Sequence, residues 1–462
     1  MILIKNIQSQ NRAFAFIIES MDLKTTMGRH YMLNFKYLRR SSEIQNELDM
    51  VDLFYQAQQN DNKREIIERI LIKLDHVMDI RGSVKRISAS MVLDDVELFE
   101  IKRFSLLINE INALLESLQL NYPSMPCLQK VVDVLDPDKQ RIATFYIYSS
   151  YDSELAKYRK LAKETEDSEL REKYNQQALE LEDKVRIRIC EQLMDHKEAL
   201  NSCLDEIAIL DFVLAKTLLA FRLNLKKPII KKGQTSYKGL FNPYVKEILE
   251  KEGKSFQEID IELFQKPCLL TGVNMGGKTV LLKTLGLAQY LFQFGFFVPA
   301  EKAEISPVDL IFISSGDHQS ELAGLSSYAA EMLVVNDIIK AAKSNKRILA
   351  IIDELARTTN PAEGQAIVNA ALEIFSENHV MALVSTHYGG LSFSGRRLKI
   401  KGLSFDALKD KTIDIKRIQQ VMDYSVVEDD GKENVHQAIE IASLLGVDKD
   451  LLYRADKFLK DN

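Results

Sequence analysis

Nine consecutive residues, Thr271-Gly272-Val273-Asn274-Met275-Gly276-Gly277-Lys278-Thr279, contain the pattern G-x-x-x-x-G-K-[ST]. The apolar run Pro267-Cys268-Leu269-Leu270 precedes them and the helical pattern VLLKTLGLAQYLF follows. Strand, loop and helix in that order are what a phosphate-binding loop requires. Gly272, Gly276 and Gly277 let the backbone curl until its N–H groups face phosphate, and the helix N-terminus adds positive potential. Lys278 can then reach the β- and γ-phosphates of ATP, and Thr279 can offer its hydroxyl to Mg²⁺. A second run, Arg347 to Ile352, reads as a buried strand that ends in Asp353-Glu354. A carboxylate at that strand end can hold the Mg²⁺ water shell, and the next can polarise an attacking water. Ser385-Thr386-His387 follows a third apolar run, Val380 to Val384, which puts His387 where it could sense the γ-phosphate. In Gly316-Asp317-His318-Gln319, Gln319 is a candidate bridge from metal or water to a moving part of the domain.

Gly324-Leu325-Ser326-Ser327-Tyr328 precedes a helical pattern from Ala329 to Lys343. A Gly-Ser-Ser turn at a helix N-terminus is a second anion site. One nucleotide cannot fill both, so the economical arrangement is a dimer in which Ser326 caps the γ-phosphate held by the partner. The plain alternative is an ordinary helix cap by Ser326 or Ser327.

These residues need a scaffold, and the chain has two textures. From Asp138 to Lys227 there is neither Gly nor Pro, which predicts long helices. Half of that stretch as one helix would exceed about 60 Å. Phe104, Ile108, Ile111, Leu115 and Leu118 form a helical seam before it, and Leu200, Leu204, Ile207 and Leu214 another within it, interrupted by Lys197 and Asp211. Residues 154–184 are polar and mixed in charge, as expected of the solvated end of an antiparallel helix pair. After Pro228 the texture changes to short apolar runs separated by helical segments, as in an α/β domain with a central sheet. The expected fold class is therefore multidomain, α followed by α/β, with a boundary near residue 230.

Composition bounds the rest. The 462 residues include 61 Lys and Arg against 67 Asp and Glu, a net charge of −6, so a chain-wide basic footprint for nucleic acid is absent. The small basic clusters Lys226-Lys227, Lys231-Lys232 and Arg396-Arg397 with Lys399 and Lys401 are local exceptions. The four cysteines show no CxxC pairing and read as reduced thiols. No run reaches the ~18 apolar residues of a membrane span, and no signal peptide is evident, so a cytoplasmic protein is expected.

Taken together, the motifs resemble those of the MutS family of ABC-type ATPases. The likeness runs through TGVNMGGKT, VPAEKAEISPVDLIF, GDHQSELAGLSSYAAEM, AIIDELARTTNPAEG and STHY to HQAIEIASLLGVDKDLLYRADKFL. It implies nucleotide roles for Asn274, Ser326, Asp353, Glu354 and His387, and composite sites shared across a homodimer. It also implies that Phe256 stacks on the adenine, with Tyr424 a candidate for the opposite face. Thr26-Met27-Gly28-Arg29 and SSEIQNELDMVDLF resemble the start of the family's core and lever region. The implied organisation is a helical core and lever over residues 1–230, with a reduced clamp near 154–184. A P-loop ATPase domain over 231–425 and C-terminal dimerisation helices over 426–462 follow. No counterpart of the mismatch-recognition or connector domain is expected ahead of residue 20. Phe-x-Glu, the mismatch-reading pattern, occurs only within the ATPase half, as Phe256-Gln257-Glu258 and Phe375-Ser376-Glu377. Family membership implies action on DNA. The loop Ala356-Arg357-Thr358-Thr359-Asn360-Pro361 and the short lever are also similar to MutS-like ATPases that accompany cobalamin-dependent lysine and ornithine aminomutases. That likeness implies a protein client, the mutase, and a reactivating role.

Overall fold

The structure is a computed structural model that describes residues 2–142, 144–272, 277–314, 327–403, 422–429, 439, 442–443 and 446–460. Short polar residues start many of its helices by accepting from backbone N–H groups that the helix leaves unsatisfied. Asn11 caps α2 (Arg12–Glu19) and Thr25 caps α3 (Thr26–Leu33), which follow α1 (Ile4–Gln8). After α4 (Ser41–Gln58), Asn60 caps α5 (Asp61–Leu74). Asp94 forms a reciprocal box with Glu97 at the start of α7 (Asp95–Ser117), beyond α6 (Arg81–Ser88).

The stretch without Gly or Pro is helical but divided. Beyond α8 (Gln129–Leu135), it folds as α9 (Ser153–Glu164), α10 (Ser168–Met194) and α11 (Lys197–Arg222). The punctuation is by side-chain caps instead of breakers: Asp152 starts α9 and Asp167 starts α10, each accepting from two backbone N–H groups. The longest helix, α10, has 27 residues and spans about 40 Å, well short of half the segment. Residues 154–184 form a helical hairpin, tied by Arg159 to Glu182 at 2.6 Å and by the rings of Tyr158 and Tyr174. Both expected seams lie in one core, where Phe104, Ile108, Ile111, Leu200, Leu204, Ile207 and Leu214 are buried together.

Asp211, which interrupts the seam of α11, is fully buried, and its carboxylate has a structural task. It accepts from the backbone N–H groups of Lys24 and Thr25 and from the Thr25 hydroxyl, at 2.7–3.0 Å. The same hydroxyl accepts from Gly28 N–H, so one carboxylate on α11 fixes the cap of α3.

The second half carries two sheets among the described residues. The smaller runs β1 (Ile229–Ile230), β5 (Lys302–Ile305), β2 (Gln234–Leu240), β3 (Ile259–Phe264). The larger has the order β10 (Met422–Glu428), β9 (Arg396–Leu403), β4 (Pro267–Thr271), β8 (Met381–Ser385), β7 (Ile348–Ile352), β6 (Leu310–Ser314). It is parallel except for β10, which runs antiparallel to β9. Both faces of this sheet are covered, which explains the unbroken apolar strands. In β7, Leu349 and Ile351 face the core that holds α13 (Lys278–Gln293). Ile348, Ala350 and Ile352 face α14 (Ser327–Lys343) and α15 (Pro361–Glu377).

The core that holds α13 does not stop at the sheet half. It joins Phe14 and Ile17 of α2, Leu48 of α4 and Phe212 of α11 to Leu281, Leu285, Phe292 and Phe294 at α13. At this junction the Lys216 ammonium is buried, 2.9 Å from Glu47 and 2.9 Å from the Phe294 carbonyl. It also lies over the rings of Phe35, Phe212 and Phe296. Burial pushes its pKa down and the Glu47 carboxylate pulls it back up. The remaining described elements are α12 (Pro243–Lys251) and α16 (Lys449–Lys460). Among the described residues no helix is long and apolar enough to cross a membrane.

Asp211→Asn replaces an acceptor that serves three donors by an amide whose NH₂ must face an N–H group. Stability should fall by about 1–3 kcal/mol, read as a lower urea midpoint at unchanged slope. Burial also raises the Asp211 pKa, despite the donors that oppose it. Folding therefore takes up a proton between the unfolded and folded pKa values, and stability falls as pH rises through that window. The same variant should flatten that part of the pH profile.

Candidate functional site

Parallel strands place their C-terminal ends side by side, and the chemistry-bearing residues of this chain follow three such ends. Thr279 lies in the first turn of α13, after β4, and Asp353 directly follows β7. Ser385 closes β8, the strand between them. The Thr279 hydroxyl donates to Asp353 Oδ2 at 2.6 Å, and the Ser385 hydroxyl donates to Asp353 Oδ1 at 2.6 Å. Both oxygens of one carboxylate are thus engaged by the two flanking elements. Ser385 Oγ also accepts from Glu354 N–H at 2.8 Å, so it aligns both acidic residues.

Lys278 is buried, at 3% exposure, and donates to the Gly272 carbonyl at 2.7 Å. Burial lowers its pKa, and the charges of Glu354 and Asp353 raise it. Gly272 has φ +124° and Gly277, which precedes α13, has φ +79°. Gly277 is needed for space as well as for its backbone: a Cβ there would stand 2.9 Å from Tyr424 Cδ1. Asn274 and Gly276 lie outside the described residues.

Glu354 has φ +55°, and its carboxylate is held by Arg357 at 2.6 Å. Ala356, with φ +62°, is fully buried. Its N–H donates to Glu331 of α14 at 2.8 Å, and its carbonyl accepts from the Tyr388 hydroxyl at 2.7 Å. Burial pushes the Glu331 carboxyl up, and the Ala356 N–H lowers it. Asn360 then caps α15 with Pro361 in its first turn, so the loop after Glu354 ends in a regular helix start. His387 follows β8, is exposed, and stacks on Tyr388 with ring centroids 4.2 Å apart. Gln319 and Ser326 lie outside the described residues.

The two aromatic candidates are brought to one place. Tyr424, on β10, covers Gly277. The side chain of Gln257, next to Phe256, accepts from Tyr424 N–H at 2.9 Å and donates to Asp423 at 2.9 Å and Ser425 at 3.1 Å. Phe256 itself is half-buried against the core that holds α13. Gln257 thus pins the Phe256 segment to the strand that carries Tyr424.

Ser385, Glu331, Tyr388 and Gln257 were not singled out from sequence. Ser385 sits in the quoted Ser-Thr-His run, so the strand-end rule that found His387 could have found it. The other three act through backbone groups far away in sequence, which no local pattern records. Four of the eight residues in the basic clusters have ion partners among the described residues. Lys227 pairs with Asp49 and Asp52, Lys231 with Glu304, Arg396 with Glu428 and Lys401 with Asp423. Arg397 donates to the carbonyls of Leu391 and Phe393.

Comparison with known proteins matches residues 268–461 to the family model of MutS domain V. The endonuclease MutS2 of Thermus thermophilus is 31% identical over 290 residues, which cover 62% of this chain and 36% of that protein. The DNA mismatch repair protein MutS of Thermotoga petrophila is 28% identical over 285 residues, 61% of this chain and 34% of that protein. The endonuclease MutS2 of Finegoldia magna is 31% identical over 290 residues, 61% of this chain and 35% of that protein. The chain spans about a third of the length of these relatives. Over residues 268–461 it is therefore similar to the ATPase domain of the MutS family.

The charged form of Lys278 is disfavoured by burial and prevails only below its lowered pKa. Affinity for a triphosphate anion should therefore fall as pH rises through that value. Lys278→Arg, which stays charged throughout, should abolish the fall; calorimetric titration across the alkaline range checks both.

Proposed function

We propose that this chain is a MutS-family ATPase that binds ATP at the turn between β4 and α13 and hydrolyses it with Mg²⁺. We further propose that it works as a homodimer with shared sites. The observation that carries this reading is the Thr279–Asp353–Ser385 chain of hydrogen bonds, which joins three strand ends beside Lys278. The first N–H groups of α13 and the Lys278 ammonium would take the phosphates, with Asn274, Gly276 and Gly277 in the loop around them. Thr279 Oγ1 and the Asp353 carboxylate form an oxygen pair 2.6 Å apart. Such a pair suits Mg²⁺, which keeps several waters and needs few protein ligands. When bound, the cation would neutralise developing charge on the phosphate oxygens.

Glu354 would orient the attacking water and accept its proton. Its carboxylate must first part from Arg357, the ion partner it holds in this structure. His387 and Gln319 would sense the γ-phosphate and the water from their own loops, and Ser326 would cap the partner's nucleotide. The position of Tyr424 over Gly277, with the Phe256 segment pinned beside it, supports stacking of the adenine between these two rings. Exposed Leu451, Tyr453 and Phe458 on α16 support dimerisation through the C-terminal helices over 426–462, since apolar surface of that kind is normally covered. In this reading residues 1–230 are the core and lever, with the 154–184 hairpin as reduced clamp, and 231–425 the ATPase domain.

Opening and closing of the dimer would move the helical half against a macromolecule. The relatives named for DNA mismatch repair and endonuclease action make DNA the first proposal. A protein client, the aminomutase of the sequence likeness, is the second, and the pairing of Lys227, Lys231, Arg396 and Lys401 with carboxylates is the observation that favours it. A cytoplasmic setting fits either.

Lys278→Ala should abolish ATP turnover in a phosphate-release assay; undiminished turnover would sink the site assignment. Glu354→Gln should bind ATP, hydrolyse it at least about 100-fold more slowly, and accumulate as a closed dimer in light scattering. A monomer with ATP bound would contradict the shared sites. Binding to duplex DNA, titrated against salt with and without ATP, separates the clients. A steep loss of affinity with salt supports DNA, and no binding at about 50 mM salt supports the protein client.

A further inference from the structure

Two residues with side chains, Glu354 and Ala356, hold left-handed backbone angles within one turn, at φ +55° and +62°. Such angles are disfavoured for residues that carry a Cβ and persist only where the surroundings over-determine them. The surroundings here act on Ala356. Its N–H is taken by Glu331 Oε1 at 2.8 Å and its carbonyl by the Tyr388 hydroxyl at 2.7 Å, and no part of it is exposed. Both polar groups of one strained residue are therefore engaged by side chains from two other segments. Tyr388 is itself fixed. Its ring lies against Gly364 of α15 so closely that a Cβ there would collide with it, and its N–H donates to Thr386 Oγ1 at 3.2 Å. Glu331 projects from α14, so the clamp ties that helix and the strand-end loop of His387 to the turn that carries Glu354.

We propose that Glu331 and Tyr388 are positioning residues for Glu354. Neither bonds to a described residue of the phosphate loop; they act by holding Ala356, and through it the turn from Asp353 to Arg357. The inference rests on the reading of Glu354 as the group that activates water. It assigns to this pair the accuracy of that group's placement and leaves nucleotide binding to Lys278 and its loop. A misplacement of about 1 Å in a catalytic group can lower turnover by roughly 100-fold.

The test is steady-state ATP hydrolysis together with equilibrium binding of a non-hydrolysable ATP analogue, on the full chain. Tyr388→Phe removes only the hydroxyl, and Glu331→Ala removes the acceptor with its stem. Each should lower kcat by roughly 10- to 100-fold. Analogue affinity should stay within about twofold, since no residue of the phosphate loop is touched. Glu331→Gln retains an acceptor oxygen and should recover most of the lost turnover. The double variant should be little worse than the worse single one, because both act on one residue, Ala356. Wild-type kcat in Tyr388→Phe and Glu331→Ala would overturn the inference, as would parallel losses of kcat and analogue binding with a lowered melting temperature. The parent Glu354→Gln variant separates the two readings. If it retains full turnover, the function assigned to Glu354 has failed. If it is inactive while the clamp variants turn over normally, only the positioning role has failed.

Discussion

A single buried ammonium decides how the two halves of this molecule meet. Lys216 is buried away from solvent, so its charge requires partners from the protein, and they come from both halves of the chain. Glu47 belongs to α4, the Phe294 carbonyl follows the C-terminal end of α13, and three aromatic rings close the remaining directions. Carbonyls at a helix C-terminus carry partial negative charge, so the end of α13 is a natural counterpart for a cation. Breaking a buried pair of this kind by removing one member costs several kcal/mol, because the other charge is left unpaired. The helix that begins at the phosphate loop is therefore anchored at its far end to the helical half. Gln293 strengthens the anchor: its side chain donates to the carbonyls of Leu38 and Val308, and its carbonyl accepts from Leu38 N–H.

The opposite end of α13 is organised by the sheet. Strands β4, β8 and β7 are buried on both faces, so polar side chains are excluded along their length and collect where the strands end. That segregation explains why Asp353 and Ser385 stand next to each other. Each follows or closes an apolar strand whose register with its neighbour is fixed by the parallel ladder. The carboxylate of Asp353 then satisfies two hydroxyls at once, which defines its orientation without any bound group. An apolar scaffold with a polar rim needs no further device to bring distant residues together.

Much of this could be read in the sequence, and the reasons are physical. The strands around Cys268, Leu310, Ile348 and Val384 are unbroken apolar runs because both sheet faces are covered, and such runs are visible in one dimension. The helical seams of α7 and α11 are visible for the same reason, as periodic burial. The divisions of the long helical segment at Asp152 and Asp167 were harder, because an Asp cap differs from a solvated Asp only in what its oxygens accept. Asp211 looked like a fault in a seam, whereas its partners Lys24 and Thr25 lie at the other end of the helical half. The site residues named from the phosphate-loop pattern required only local spacing. Glu331, Tyr388 and Gln257 act on backbone groups elsewhere, and a backbone N–H has no sequence signature.

The electrostatics of the site follow from these placements. Burial works against the charge on Lys278, and the nearby carboxylates of Glu354 and Asp353 support it. Glu354, for its part, is held by Arg357, an exposed side chain with no other role in the fold that its contacts reveal. A polyanion at the start of α13 changes both relations. It would support the Lys278 charge more strongly than carboxylates at a distance can, since opposite charges in contact dominate in a partly desolvated site. It would also repel Glu354 and attract Arg357, loosening the pair between them. The backbone of the Glu354 turn would not follow, because Ala356 is clamped at both its polar groups. Charge rearrangement would thereby be confined to side chains, and the freed carboxylate would remain on a fixed support.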